Sequence, residues 1–117
     1  LSAAELSMTL RVENSGPSPF SFAAALHTYL RVADLTTTRV EGLTGCTYRD
    51  NNDRHQLHTD PDPAITFAHE IDRAYFAAPS PLTLWDGPRS LSVHANGFPD
   101  AVVWNPGPVK AAALKDL

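Results

Sequence analysis

Ten prolines punctuate this chain at short intervals, and where they fall limits what it can become. They sit in SGPSP, the end of NNDRHQLHTDPDP, APSP, DGPRS, NGFPD and NPGP, always among Gly, Asn, Asp or Ser. Proline removes a backbone donor and clashes inside a helix, so this placement excludes long helices and suits turns and strand ends. The intervening stretches are short and rich in β-branched, aromatic and alternating apolar residues, which predicts strands. Candidates are 6–12, 20–30, LRVAD at 30–34, AITFAHEI at 64–71, AYFAA at 74–78, LTLWD at 82–86, SLSVHAN at 90–96 and DAVVWN at 100–105. In the first, Leu6, Met8, Leu10 and Val12 share one face while Ser7, Thr9, Arg11 and Glu13 share the other. Asn14-Ser15-Gly16-Pro17 then predicts a turn, with residues 20–30 as the antiparallel return of a hairpin. Only VKAAALKDL at 109–117 has helical composition, over too few turns to be stable without packing. The expected fold class is all-β, an antiparallel β-sandwich or part of one.

With 117 residues, 43% of them hydrophobic, one domain over 1–117 can bury a core. Nine basic against thirteen acidic residues, net −4, give no field for polyanions, so neither nucleic acid nor an anionic membrane is an expected partner. Cys46 is the single cysteine and has no internal disulfide partner, which fits a reducing compartment. No apolar run approaches the ~20 residues of a membrane helix, and the expected location is cytoplasmic. The chain opens as LSAAELSMTLRV, without Met and straight into strand-like alternation, and reads as cut from a longer protein.

The groups able to do chemistry are few. SFAAALHTYL at 21–30 places His27 in a small, apolar stretch that reads as a strand; alone, such a histidine is more often packed in a core than catalytic. In EIDRAY at 70–75, alternation puts Glu70 and Asp72 on one face and Arg73 and Tyr75 on the other, equally readable as a solvated edge. DRHQLHTDPD at 53–62 gathers His55, His58, Asp60 and Asp62, types a divalent metal accepts, but in a polar loop without a ligand fixed on regular structure, so no metal is expected. There is no phosphate-cradling glycine loop, serine elbow or Cys–His pairing.

Taken in order, ALHTYL, VEGLTGCTYRDN at 40–51, HEIDRAY at 69–75 and GFPDAVVWNPGPVKAAALKDL at 97–117 resemble the later part of the D-hexose-6-phosphate mutarotases, a branch of the aldose 1-epimerase (galactose mutarotase-like) superfamily. The resemblance covers essentially the whole chain. It implies part of a β-supersandwich isomerase that interconverts the α and β anomers of a hexose 6-phosphate by acid–base ring opening, without a cofactor. His27 matches the family's catalytic acid, and Asp72 matches an aspartate that contacts sugar hydroxyls. Tyr29, Tyr48, Asp50, Arg73, Trp104 and Asn105 recur in the pattern and read as architecture. The family's base, a glutamate beyond the WNP…K…D segment, and its phosphate-holding arginines, in the N-terminal half, have no match within 1–117. The resemblance therefore implies a middle-to-late fragment, inactive or nearly so alone, whose unpaired edges favour a homodimer. The other function class is a non-catalytic carbohydrate-binding β-sandwich.

Overall fold

A computed structural model of the chain describes residues 5–114. A 3₁₀ turn, Leu35–Thr37, leads into eight strands: β1 (Thr38–Glu41), β2 (Thr47–Asp50), β3 (Gln56–Thr59), β4 (Ala64–Thr66), β5 (Ile71–Tyr75), β6 (Leu82–Asp86), β7 (Arg89–Val93) and β8 (Ala101–Asn105). A single helical turn, α1 (Gly107–Ala111), follows. The strands form two antiparallel four-stranded sheets, ordered β4-β1-β6-β7 and β3-β2-β5-β8. Val40, Ile65 and Leu82 from the first sheet meet Tyr48, Ile71, Tyr75 and Val103 from the second, and Leu43 closes the same core. The fold is thus the expected all-β sandwich. At the β6–β7 hairpin, Gly87 has φ 57° and Pro88 follows, the positive-then-negative order that suits a two-residue turn beginning on glycine.

The centre of the second sheet is polar and closed. Asp60 is only 2% exposed, and the Tyr75 hydroxyl donates to its Oδ2 at 2.5 Å. Arg73 Nη1 donates to the same oxygen at 3.3 Å. The Arg73 guanidinium also lies 4.6 Å from the centroid of the Tyr48 ring, which is itself 5.1 Å from that of Tyr75. Arg73 Nε stands 3.8 Å from Asp50 Oδ2, an ion pair too long for a hydrogen bond. Backbone bonds aim Asp60 at this cluster: its N–H donates to Cys46 O at 3.0 Å, and Gly45 N–H donates to Asp60 O at 2.7 Å. Burial first, and then the hydrogen bond to Asp60, push the Tyr75 phenol well above the ordinary tyrosine range.

Three expectations need correction. Residues 6–12, 20–30 and 30–34 are not strands: no strand precedes Thr38 among the described residues, and residues 5–31 are exposed. His27 therefore sits on irregular chain. Alternation prepares a strand, but only a hydrogen-bonded neighbour makes one, and none of the eight strands pairs with this segment. The turn inside it does form, with Gly16 N–H donating to Asn14 Oδ1 at 2.9 Å and Asn14 Nδ2 donating to Ser18 O at 2.9 Å. Second, residues 64–71 are not one strand: β4 ends at Thr66 in the first sheet, Phe67 turns into the core, and β5 opens at Ile71 in the second, absorbing the start of 74–78. Third, β1, β2 and β3 escape the hydrophobic pattern, because TRVE, TYRD and QLHT are polar stretches of four residues. The stretches 82–86, 90–96 and 100–105 correspond to β6, β7 and β8. Helix α1 opens two residues before the expected start at 109, and residues 115–117 of that stretch lie outside the described residues.

The corner after β8 is held against the start of β5. Gly107 has φ 67°, and a Cβ there would lie 2.8 Å from the backbone nitrogen of Glu70. Lys110 Nζ donates to Glu70 Oε1 at 2.7 Å across the same contact.

Two outcomes follow for urea unfolding. Gly107→Ala is both strained and sterically excluded and should cost about 1–3 kcal/mol. Tyr75→Phe leaves the buried Asp60 carboxylate with one donor fewer and should cost about 1–3 kcal/mol. Because the folded state raises the Tyr75 pKa, the stability this group contributes is complete below about pH 10, its ordinary value, and is lost as pH rises through the folded-state value. The Phe variant should show a correspondingly shallower alkaline loss of stability, and an unchanged alkaline slope would contradict this reading of the cluster.

Candidate functional site

With Tyr48, Asp50, Arg73 and Tyr75 turned toward the buried cluster, the pleat sends their neighbours to the outer face of the second sheet. Arg49 lies between Leu57 on β3 and Ala74 on β5; Ala74 in turn faces Val102 on β8, and Asp72 faces Trp104. The split within EIDRAY is the one the sequence predicts, Asp72 on one face and Arg73 with Tyr75 on the other. The outer face is apolar at its two edges, where Leu57 and Val102 are each 65% exposed.

Asp72 is held at the end of this face. Asn51 Nδ2 donates to Asp72 Oδ1 at 2.8 Å, while Asn51 N–H donates to Asp72 O at 2.9 Å. His55 Nδ1 lies 3.0 Å from Asn51 Oδ1. Asp72 Oδ2 has no protein partner among the described residues. Glu70, two residues earlier in the chain, is occupied by Lys110, whose pKa is raised by that hydrogen bond first, then by the charge of Glu70 and, more weakly, of Asp72.

His27 is exposed, and among the described residues no hydrogen bond or ion pair joins it to Asp72. Its segment nevertheless reaches the same face. Tyr29 packs edge-on against Trp104 with ring centroids 6.4 Å apart and an interplanar angle of 86°, and Trp104 is the cross-strand partner of Asp72. The contact falls on β8, an outermost strand paired only with β5. This sets a carboxylate, an indole and a phenol along one edge of the sheet's outer face.

The remaining candidates are dispersed. His55 turns to Asn51, His58 Nε2 pairs with Asp53 Oδ2 at 3.0 Å, and Asp60 is enclosed with Tyr75 and Arg73. Among the described residues no three His, Cys, Asp or Glu side chains gather into a metal-ligand set. An open hollow of about 230 Å³ between Leu30, Arg31, Leu84, Arg89 and Leu91 includes neither His27 nor Asp72. At its rim, Asp86 Oδ1 accepts from Ala33 N–H at 3.0 Å and Oδ2 from Arg89; the Ala33 bond above all holds this carboxyl below the usual range. None of the described helices is long and apolar enough to cross a membrane. Sequence reading gives neither Asn51 nor His55 a role beside Asp72: Asn51 ends the GLTGCTYRDN motif and His55 stands there only as a possible metal ligand, and although NNDR marks a chain reversal, nothing in it shows that Asn51 folds onto Asp72 with His55 behind it.

The sequence model of the family described as Aldose 1-epimerase matches residues 1–117. A protein of Cenchrus ciliaris named "Putative glucose-6-phosphate 1-epimerase" is 41% identical over 117 residues, covering 97% of this chain and 36% of its own length. Proteins of the same name from Salmonella typhimurium and Escherichia coli are each 27% identical over 111 residues, covering 93% of this chain and 37% of their own. The chain thus spans about a third of the length of the curated relatives it matches. A match over every residue, together with the identity to the Cenchrus protein, establishes that this chain belongs to the aldose 1-epimerase family.

Proposed function

We propose that this chain supplies the acid and a sugar-holding carboxylate of a mutarotase that interconverts the α and β anomers of a hexose 6-phosphate. The observation that carries the reading is Asp72, fixed by Asn51 on an open sheet face beside Trp104, with the His27 segment brought to that face through Tyr29. The names of the relatives favour glucose 6-phosphate as substrate.

In the proposed reaction His27 donates a proton to the ring oxygen while a base removes the proton of the anomeric hydroxyl. The bond between C1 and the ring oxygen breaks, the aldehyde turns about C1–C2, and closure on its other face returns both protons. Asp72 Oδ2 accepts from a sugar hydroxyl and fixes the ring during that rotation. No residue within 1–117 matches the family's base or its phosphate-holding arginines, so the chain alone is proposed not to accelerate exchange. Sugar binding without catalysis is the second reading for the isolated chain, and the exposure of His27 favours it.

Saturation-transfer NMR of the glucose 6-phosphate anomers separates these. A longer polypeptide containing these 117 residues should accelerate exchange, His27→Ala should slow it about 10²–10⁴-fold, and the chain alone should leave the uncatalysed rate unchanged. Acceleration by the chain alone would show that another carboxylate, such as Glu70 or Asp72, acts as the base.

The four outermost strands, β3, β4, β7 and β8, and exposed apolar residues such as Leu6, Phe22 and Val102 support a second proposal, that the chain forms a homodimer. Sedimentation velocity should then show a mass that rises with concentration to twice the chain's, whereas a monomer at high concentration would refute it.

A further inference from the structure

Between β2 and β3 the chain takes a costly route. Arg54 and His55 are consecutive non-glycine residues at φ 49° and 60°, a conformation that favours glycine. Short-range bonds close the turn: Asn52 N–H donates to Asp50 Oδ1 at 2.8 Å, and Gln56 N–H donates to Asp53 O at 2.9 Å. Glycine would meet the backbone geometry at 55 at least as well, so what histidine adds there is its imidazole. The ring's one short contact among the described residues is Nδ1 to Asn51 Oδ1.

The protons along this path can be assigned. An ionised Asp72 only accepts, so the group 2.8 Å from its Oδ1 must be the Asn51 NH₂. That turns Asn51 Oδ1, which also only accepts, toward His55, so Nδ1 must carry the proton. In the neutral ring this leaves Nε2 bare. We infer that Asn51 and His55 are positioning residues for Asp72: the His55 Nδ1–H locks the Asn51 amide, and the amide locks Asp72 Oδ1, leaving Oδ2 aimed at the sugar. The inference rests on Asp72 being the sugar-holding group, but the proton assignment does not.

The assignment is tested without sugar by long-range ¹H–¹⁵N NMR of the histidine rings above their titration range. The expected result for His55 is a protonated Nδ1 and an unprotonated Nε2, with the preference lost in Asn51→Ala; a protonated Nε2 in the unaltered chain would overturn the relay. Titration with glucose 6-phosphate, followed by chemical shifts of the Trp104 indole, tests the positioning. Asn51→Ala should weaken affinity several-fold, because Asp72 loses the donor that orients it. His55→Gly relieves the backbone strain and should keep or raise Tm while weakening affinity several-fold, a split that a merely structural role for His55 does not produce. Unchanged affinity in His55→Gly would overturn the positioning role. If the unaltered chain binds no glucose 6-phosphate but shows the expected tautomer, the sugar-holding role of Asp72 fails and the relay remains as a brace of the turn.

Discussion

The hydrogen bond from Tyr75 to Asp60 decides which way the central strand of the second sheet faces. A carboxylate at 2% exposure is tolerable only where donors replace its water, and here Tyr75 and Arg73 supply them. Both donors lie on β5 two residues apart, so their turn inward fixes the parity of the strand. Asp72 must then face outward. A slip of one residue would bury Asp72 and strand Arg73 in solvent. The closed inner cluster and the open outer carboxylate are therefore two consequences of one pairing.

That pairing also explains how much of the chain was legible. Prolines and turn residues bound strands whose apolar positions are their own evidence, as in LTLWD and DAVVWN, and the parity of EIDRAY needs nothing beyond alternation. The stretch LSMTLRV has equally good alternation and is no strand, because pairing is a property of two segments and the sequence shows one at a time. TYRD and QLHT err in the other direction: four-residue, mostly polar stretches with one inward aromatic ring each become strands because β5 and the turn at 51–55 place partners beside them. The site divides in the same way. Asp72 and His27 stand in motifs that can be matched, whereas Asn51 and His55 lie in a turn that NNDR marks as a reversal but whose approach to Asp72 depends on left-handed residues that are not glycine.

The outer face of the second sheet acquires its character from its edge. β8 presents Val102 and Trp104 on a strand paired on one side only, and Tyr29 reaches it from the segment that carries His27. The family's chemistry needs an acid, a base and groups that hold the sugar while its C1 aldehyde rotates. Within these residues the structure fixes the Asp72 carboxylate by a hydrogen bond from Asn51 and leaves His27 exposed, in a chain that spans about a third of its relatives' length.

Transferred nuclear Overhauser effects from this chain to glucose 6-phosphate test whether the Trp104–Asp72 face receives the sugar. If it does, magnetisation passes between the pyranose ring protons and the Trp104 indole, and Asp72→Ala abolishes the transfer. Transfer instead to Leu84 and Leu91, in the hollow on the first sheet, would contradict it.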